Sequence, residues 1–354
     1  MTPSLGRRRL LVGIATVLVG AGLAGCASAS EPSGDETASD ISGQVVWADW
    51  GGPTHEAFRE VFFDPFTADT GVEVVDTTIA SAIQYQMLEG GAGDYDTMMT
   101  GMSEVVLYSD NLLSLPEGMT RSDQLPEDVA EYTIATPLIG YAQGYLTDTF
   151  PDGGPQTWAD FWDTEKFPGK RAVPGEYNDF MYEAALIADG VAPDDLYPLD
   201  LDRATAKLNE LKPEMVFYTE YPQVQQLLSS EAASIAFAPN GQYAALQNSG
   251  QDVTVSWTEA FVEANPFVVP VKANNADATF ALAEYLADPE LQAEFSKRTH
   301  YGPSNSAAFE FMTDDEIAEL PNAPQNTAII WANAEERANL YEEMTNRYTE
   351  WLQS

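Results

Sequence analysis

The stretch 44–75, QVVWADWGGPTHEAFREVFFDPFTADTGVEVV, decides the fold. Val45-Val46-Trp47 is a short apolar run of strand character, and Gly51-Gly52-Pro53-Thr54 is a turn that hands over to a helix. Ala57, Phe58, Val61 and Phe62 recur at spacings of three and four, which puts them on one helical face. Asp64-Pro65 and Thr70-Gly71 interrupt that helix, and 72–75 reads as a second strand. Strand, helix and strand in this order make a βαβ unit, whose strands lie parallel because the helix crosses over between them. Working outward, the alternation continues with a helical stretch at 84–88, a Gly90-Gly91-Ala92-Gly93 break and an apolar strand at Met98-Met99. A turn at Gly101 and a helix over 105–108 follow. The pattern predicts an α/β domain with a mainly parallel sheet and helices on both faces.

A second block of the same type starts near Ile139. Thr157 and Asp160 have capping-box spacing ahead of Trp158, Phe161 and Trp162, aromatics expected to pack in the core or at a hinge. Strands are expected at 172–174, 234–238, 253–257 and 267–271, and helices at 182–188, 202–211, 222–228 and 243–247. Asp288-Pro289 is a cap followed by a first-turn proline, 301–305 is a loop, and the chain closes with a helix to Trp351. No short-period repeat interrupts this order.

The N-terminus carries Arg7, Arg8 and Arg9, an apolar run over 10–23, and then Leu23-Ala24-Gly25-Cys26. That run is shorter than the ~20 residues a membrane span needs, so 1–25 reads as a cleaved export signal. The three arginines leave general and twin-arginine export both open. Cys26 is the only cysteine, which excludes an internal disulfide. Leu-Ala-Gly-Cys resembles a bacterial lipobox, which implies a diacylglycerol on the Cys26 thiol and an anchor on the outer face of the cell membrane. Residues 26–43 are small, polar or acidic with a single Ile, the composition of a flexible tether. The 329 residues left after the leader are enough for two α/β lobes.

Charge narrows the partners. The chain has 56 Asp and Glu against 16 Lys and Arg, a net −40 that becomes −43 once the leader's three arginines are gone. No basic patch can be assembled for a phosphate backbone, so nucleic acid is excluded. The acidity suits a solvated shell and attracts a cationic solute. Two histidines and one cysteine leave almost no metal-site material, and Arg59 stands where a zinc-protease motif starting at His55-Glu56 needs its second histidine. Gly101-Met102-Ser103 continues with Glu104-Val105 and so is no nucleophile elbow. Phosphate-loop and dinucleotide fingerprints are also missing. Neither metal, cofactor nor catalytic residue is expected. A secreted hydrolase is the rival of another class, because so many acids supply carboxylate pairs of any spacing.

Polar, glycine-bearing or aromatic segments follow four strands: Asp49-Trp50-Gly51-Gly52, Thr100-Gly101-Met102, Glu176-Tyr177-Asn178-Asp179 and Asn240-Gly241-Gln242. Open α/β sheets bind ligands at the carboxyl ends of their strands, although turns also favour Gly and Asn on their own account. These loops belong to a wider match. Trp50-Gly51-Gly52, Asp94-Tyr95-Asp96, TWADFWDTEKFPGKRA at 157–172, the APDDLYPLDLDRA opening of 192–212, Asn240-Gly241, Tyr301-Gly302-Pro303-Ser304-Asn305 and the helix over 331–351 resemble one family. It is the extracellular solute-binding proteins of the spermidine/putrescine type that serve bacterial ABC importers.

The resemblance implies an α/β fold like that of type II periplasmic binding proteins, with two α/β lobes, hinge crossovers and an interlobe ligand cleft. Lobe I would comprise 44–140 with 266–306, and lobe II 141–265 with 307–354, with hinges near 140–146, 265–268 and Ser306. It implies a monomer that is not an enzyme, captures a small solute and delivers it to the membrane subunits of an ABC permease. In polyamine-binding relatives aromatic faces enclose the methylene chain and carboxylates hold the ammonium ends. Trp50 and Tyr301 match aromatic positions of that box. Pro239 replaces the usual Trp, Ala332 the frequent Gln, and Asn265 the acidic residue before the hinge strand, which removes one expected ammonium ligand. The expected ligand-binding set is Asp49, Trp50, Gly101, Glu176, Tyr177, Asp179, Asn240, Asn265 and Tyr301, for a polyamine or other organic amine. The rival solute is neutral or anionic, held at the helix start 51–54.

Overall fold

A computed structural model describes residues 41–354 apart from 52, 92 and 136. The export signal, Cys26 and the tether up to residue 40 lie outside the described residues, as does Gly52 of the first loop. β1 (Gln44–Asp49) leads through α1 (Pro53–Phe58), a π-helical turn over Arg59–Phe63, and α2 (Asp64–Thr70) into β2 (Glu73–Thr78). α3 (Ser81–Leu88), β3 (Thr97–Met99), α4 (Met102–Tyr108), α5 (Glu127–Ala130) and β4 (Thr133–Ala135) follow. The second block runs β5 (Leu138–Leu146), α6 (Trp158–Trp162), β6 (Arg171–Pro174), α7 (Met181–Ala188), α8 (Leu201–Leu211), β7 (Met215–Tyr218) and α9 (Gln223–Ser229). It continues through β8 (Ile235–Pro239), α10 (Gly241–Asn248) and β9 (Val253–Ala264). β10 (Phe267–Val268), α11 (Ala276–Leu286), α12 (Pro289–Thr299), α13 (Asp314–Ala318), β11 (Ile330–Trp331) and α14 (Ala334–Gln353) complete the chain.

The strands form two sheets, ordered β2-β1-β3-β10-β4 and β11-β9-β5-β8-β6-β7. The opening βαβ unit is present, with β1 parallel to both β2 and β3. The sheets are more mixed than a mainly parallel reading predicts. β5 runs antiparallel to β8 and β9, and β10 antiparallel to β3 and β4. The reason is the crossing itself, because β4 passes into β5 and β9 returns into β10 side by side in opposite directions. Asn265 N–H donates to Pro137 O at 3.4 Å where the two segments meet. Leu138 and Gly302 exchange both backbone hydrogen bonds at 2.9 and 2.8 Å, which adds a third segment to the junction.

Local chemistry explains several boundaries. Thr157 and Asp160 close the expected capping box on α6, and Asp288 caps α12 ahead of Pro289. β9 continues to Ala264 instead of ending at Trp257, because the strand is kinked and not broken at Glu259, which adopts φ 60°. Its carbonyl accepts the Trp158 indole N–H and its carboxylate the Trp158 backbone N–H, both at 2.8 Å. Asn265-Pro266 then ends the strand, and β10 is reduced to two residues.

Each sheet is packed by aromatic side chains. Trp47 lies between Phe63 at 4.9 Å and Phe267 at 3.8 Å in the first core. In the second, Trp158 stacks on Phe261 at 5.5 Å, and Phe261 on Phe180 at 4.8 Å with the rings 8° from parallel. Burying such a ring is worth about 1.5–3 kcal/mol, so this column anchors the loop that ends at Phe180.

Candidate functional site

The expected ligand residues fall into three groups. Asp49 and Asn240 make their hydrogen bonds to other parts of the protein. The Asp49 carboxylate is 2% exposed and accepts the Trp47 indole N–H at 3.0 Å and the Gly51 N–H at 2.7 Å, while His55 Nδ1 lies 2.8 Å away. His55 Nε2 reaches Asp76 at 2.6 Å, and Arg59 pairs with Asp76 as well, so both carboxylates already have partners within the protein. Asn240 accepts the Gly140 N–H at 3.0 Å and donates to His300 O, stapling β5 to the segment before Tyr301.

A second group lines edges and junctions. Trp50 is 56% exposed, and Glu176 and Tyr177 lie open on the β6–α7 loop. Tyr301 is buried, with its hydroxyl on the Thr54 side chain and so close to Gly241 that a Cβ there would lie 2.5 Å from it. Asn265 is buried at the crossing of the two sheets. Gly101 caps α4, where a Cβ would stand 2.4 Å from the Glu104 carboxylate that folds back over it.

Asp179 belongs to the third group. It follows β6, sits at φ 40°, and turns its carboxylate inward while Glu176 and Tyr177 face out. Tyr221, from the turn between β7 and α9, donates to Asp179 Oδ1 at 3.3 Å. Asp179 Oδ2 is shut away from solvent with no hydrogen-bond partner. The Tyr141 hydroxyl, on β5, interacts with Tyr221 and with the carboxylate of Glu263 on β9. Arg337, near the start of α14, is 13% exposed and pairs with the fully buried Glu183 of α7. It also donates to Asp179 O at 2.7 Å and lies over the Phe180 ring at 4.3 Å. Tyr197 donates to Glu183 Oε1 at 3.1 Å. Glu104 of α4 approaches from the first sheet's side, within electrostatic range of Arg337 and Glu263.

The electrostatics of this cluster are unbalanced. One guanidinium faces four carboxylates, and Glu183 already holds it. Burial pushes Asp179 up to about 7, and Glu263 beside it adds to the shift. Burial likewise raises Glu263 to about 7, although Arg337 and the Tyr141 hydroxyl oppose the change. Burial raises Glu104 too. For Arg337, burial alone would lower the value, but Glu183 and Glu263 outweigh it and keep the guanidinium charged. Low-dielectric carboxylates with too few cations are a place where a positively charged group gains.

Glu104, Tyr141, Glu183, Tyr221, Glu263 and Arg337 were not singled out from sequence. Glu263 stands two residues before Asn265, next to the last residue of β9, and places a carboxylate close to the crossing. A strand read as ending at Trp257 conceals it. Arg337 carried a usable signal, being one of few cations in an acidic chain and close behind a helix cap at Asn333. A separate hollow lined by Phe58, Phe62, Leu286 and Phe295 lies within the first lobe, and none of its lining residues is titratable. Among the described residues no group of His, Cys, Asp and Glu is arranged to hold a metal ion.

Two α/β sheets joined by adjacent crossovers, with a charged cluster where they meet, define a binding architecture. The sequence profile of the bacterial extracellular solute-binding proteins matches residues 62–325, and the chain belongs to that family. A γ-aminobutyric acid-binding protein of Pseudomonas aeruginosa is 28% identical over 314 residues, covering 85% of this chain and 89% of its own. An ABC transporter substrate-binding protein from Bradyrhizobium japonicum is 28% identical with a TM-score of 0.80, covering 87% of this chain and 99% of that one. A GABA receptor structure is 28% identical with a TM-score of 0.79, covering 87% and 97%. The chain is therefore an extracytoplasmic substrate-binding receptor of an ABC transporter, with two α/β lobes, and not an enzyme.

Proposed function

We propose that this receptor captures a small amine-bearing solute of the γ-aminobutyrate type and delivers it to its permease as a monomer anchored through Cys26. The observation that carries the reading is the solvent-shielded, partnerless Asp179 oxygen with the Glu263 carboxylate near it, set against a single guanidinium that is already paired. An ammonium group placed there supplies the missing positive charge and donates to the unpartnered Asp179 oxygen. Trp50 and Tyr177 are the exposed aromatic surfaces available to the carbon chain. The names of two relatives, a γ-aminobutyric acid-binding protein and a GABA receptor, agree with an amino-acid solute. The positive charge of Arg337 beside the cluster opposes the second ammonium of a diamine, so we place a polyamine behind γ-aminobutyrate. The tether ahead of residue 44 would hold the lobes off the membrane.

Mass spectrometry of protein taken from membranes without denaturant tests both halves. Native spectra are expected to show a retained solute that carries an amino group, and denatured spectra a chain beginning at a diacylated Cys26. A retained organic acid without nitrogen would overturn the amine reading. An unmodified Cys26 would overturn the anchor.

A further inference from the structure

Asp179 and Glu263 are connected. Tyr221 donates to Asp179, the Tyr141 hydroxyl meets both Tyr221 and Glu263, and Asp179 Oδ2 is enclosed without a partner. Two carboxylates that share a low-dielectric space hold a proton to higher pH than free carboxylates do. We infer that Asp179 and Glu263 retain one proton between them across the two tyrosine hydroxyls, and that the ammonium group of the solute replaces that proton on binding. The inference rests on the amine reading above and adds the means by which the site selects an amine.

The exchange balances. The solute arrives as an ammonium ion, one carboxylic O–H bond breaks, and the proton leaves to water. The ammonium N–H groups then donate to the two carboxylates, so the charge at Asp179 and Glu263, counting the ammonium alone, is the same before and after, while the solute's own carboxylate adds one negative charge outside that pair. A hydroxyl in place of the amine brings no charge to replace the proton, so γ-hydroxybutyrate is rejected although its shape is close.

The surroundings agree with this reading. Asp179 is faced by Glu263 from β9, Tyr221 from the β7–α9 turn, Arg337 from α14 and Glu183 from α7. Glu263 is faced by Arg337, by Tyr141 from β5, by Glu104 from α4 and by Glu183. Desolvation acts on both carboxylates and carries each to about 7. As a coupled pair they lose their protons in steps that belong to the pair. Below about pH 7 the retained proton must be expelled for the amine to enter, so affinity falls roughly tenfold per pH unit there. Above about pH 7.5 it levels off, until the solute's own ammonium titrates near the ~10 of an alkylamine.

Calorimetry of the purified protein with γ-aminobutyrate, in buffers of different ionisation enthalpy, reads the proton count directly. The expected result is at least one proton released per solute near pH 6 and a clearly smaller number near pH 8. Glu263→Gln is expected to lower the number of protons released near pH 6, and γ-hydroxybutyrate to bind at least ~100-fold more weakly than γ-aminobutyrate. Amine binding near pH 6 with no proton released would overturn this inference and leave the amine reading standing. Failure of γ-aminobutyrate and putrescine alike to bind near pH 8 would overturn the amine reading and the exchange together.

Discussion

Asp179 is a residue whose environment opposes its charge. Its ordinary titration lies near 3.8, and burial carries it to about 7 in the fold. A folded-state value above the unfolded one gives a contribution to stability that is fully present below about pH 4. That contribution is lost as the pH rises through about 7, because the unfolded chain releases the proton first. Three units amount to a ceiling on the order of 4 kcal/mol. Asp179→Asn is therefore expected to stabilise the protein in urea at about pH 8 and to give no gain at about pH 4. The same variant is expected to lose at least ~10-fold in affinity for γ-aminobutyrate. Lower stability of the variant at the higher pH would mean that the carboxylate is a net structural asset. At this scale the sequence was only partly legible. Asp179 stands in a loop after a strand, where ligand residues are looked for. Glu183 and Arg337 are 154 residues apart, and no local pattern pairs them.

The elements that hold these residues were largely readable, because they follow from periodicity and capping. Thr157-Asp160, Asp288-Pro289 and the apolar face of Ala57, Phe58, Val61 and Phe62 are statements about neighbours in sequence, and the fold realises each one. The kink at Glu259 was not readable, since it depends on Trp158 docking from another part of the chain. What the elements contribute to the site is rigidity. Phe180 sits directly behind Asp179, stacked on Phe261 and covered by Arg337. α14 adds a brace: Tyr348 donates to Pro174 O at 2.7 Å at the end of β6, and Tyr341 meets Tyr85 of α3 hydroxyl to hydroxyl at 3.5 Å. Phe180→Ala is expected to cost about 3–5 kcal/mol of stability by denaturant unfolding. Under conditions where the variant is folded, it should also bind γ-aminobutyrate at least ~10-fold more weakly, because Asp179 loses its backing. A folded Phe180→Ala protein with undiminished affinity would show that the stack does not position the loop.

At the scale of the molecule, two sheets communicate through short segments at Pro137, Asn265 and Gly302, while the acidic cluster draws on both sides through Glu104 of α4 and the residues of the second sheet. Rigid-body closure about such crossovers is the motion by which a receptor of this class encloses a solute. The two-lobe plan was legible from the repeated strand–helix alternation and from the family's motifs. The meeting of the charges was not, because it arises only when distant segments fold together. The most direct test of the account is small-angle scattering of the protein at about pH 8, without solute and at saturating γ-aminobutyrate, putrescine, γ-hydroxybutyrate and succinate. The account predicts a smaller radius of gyration with γ-aminobutyrate and no change with the two solutes that lack an amino group. Contraction with succinate or γ-hydroxybutyrate but not with either amine would contradict it.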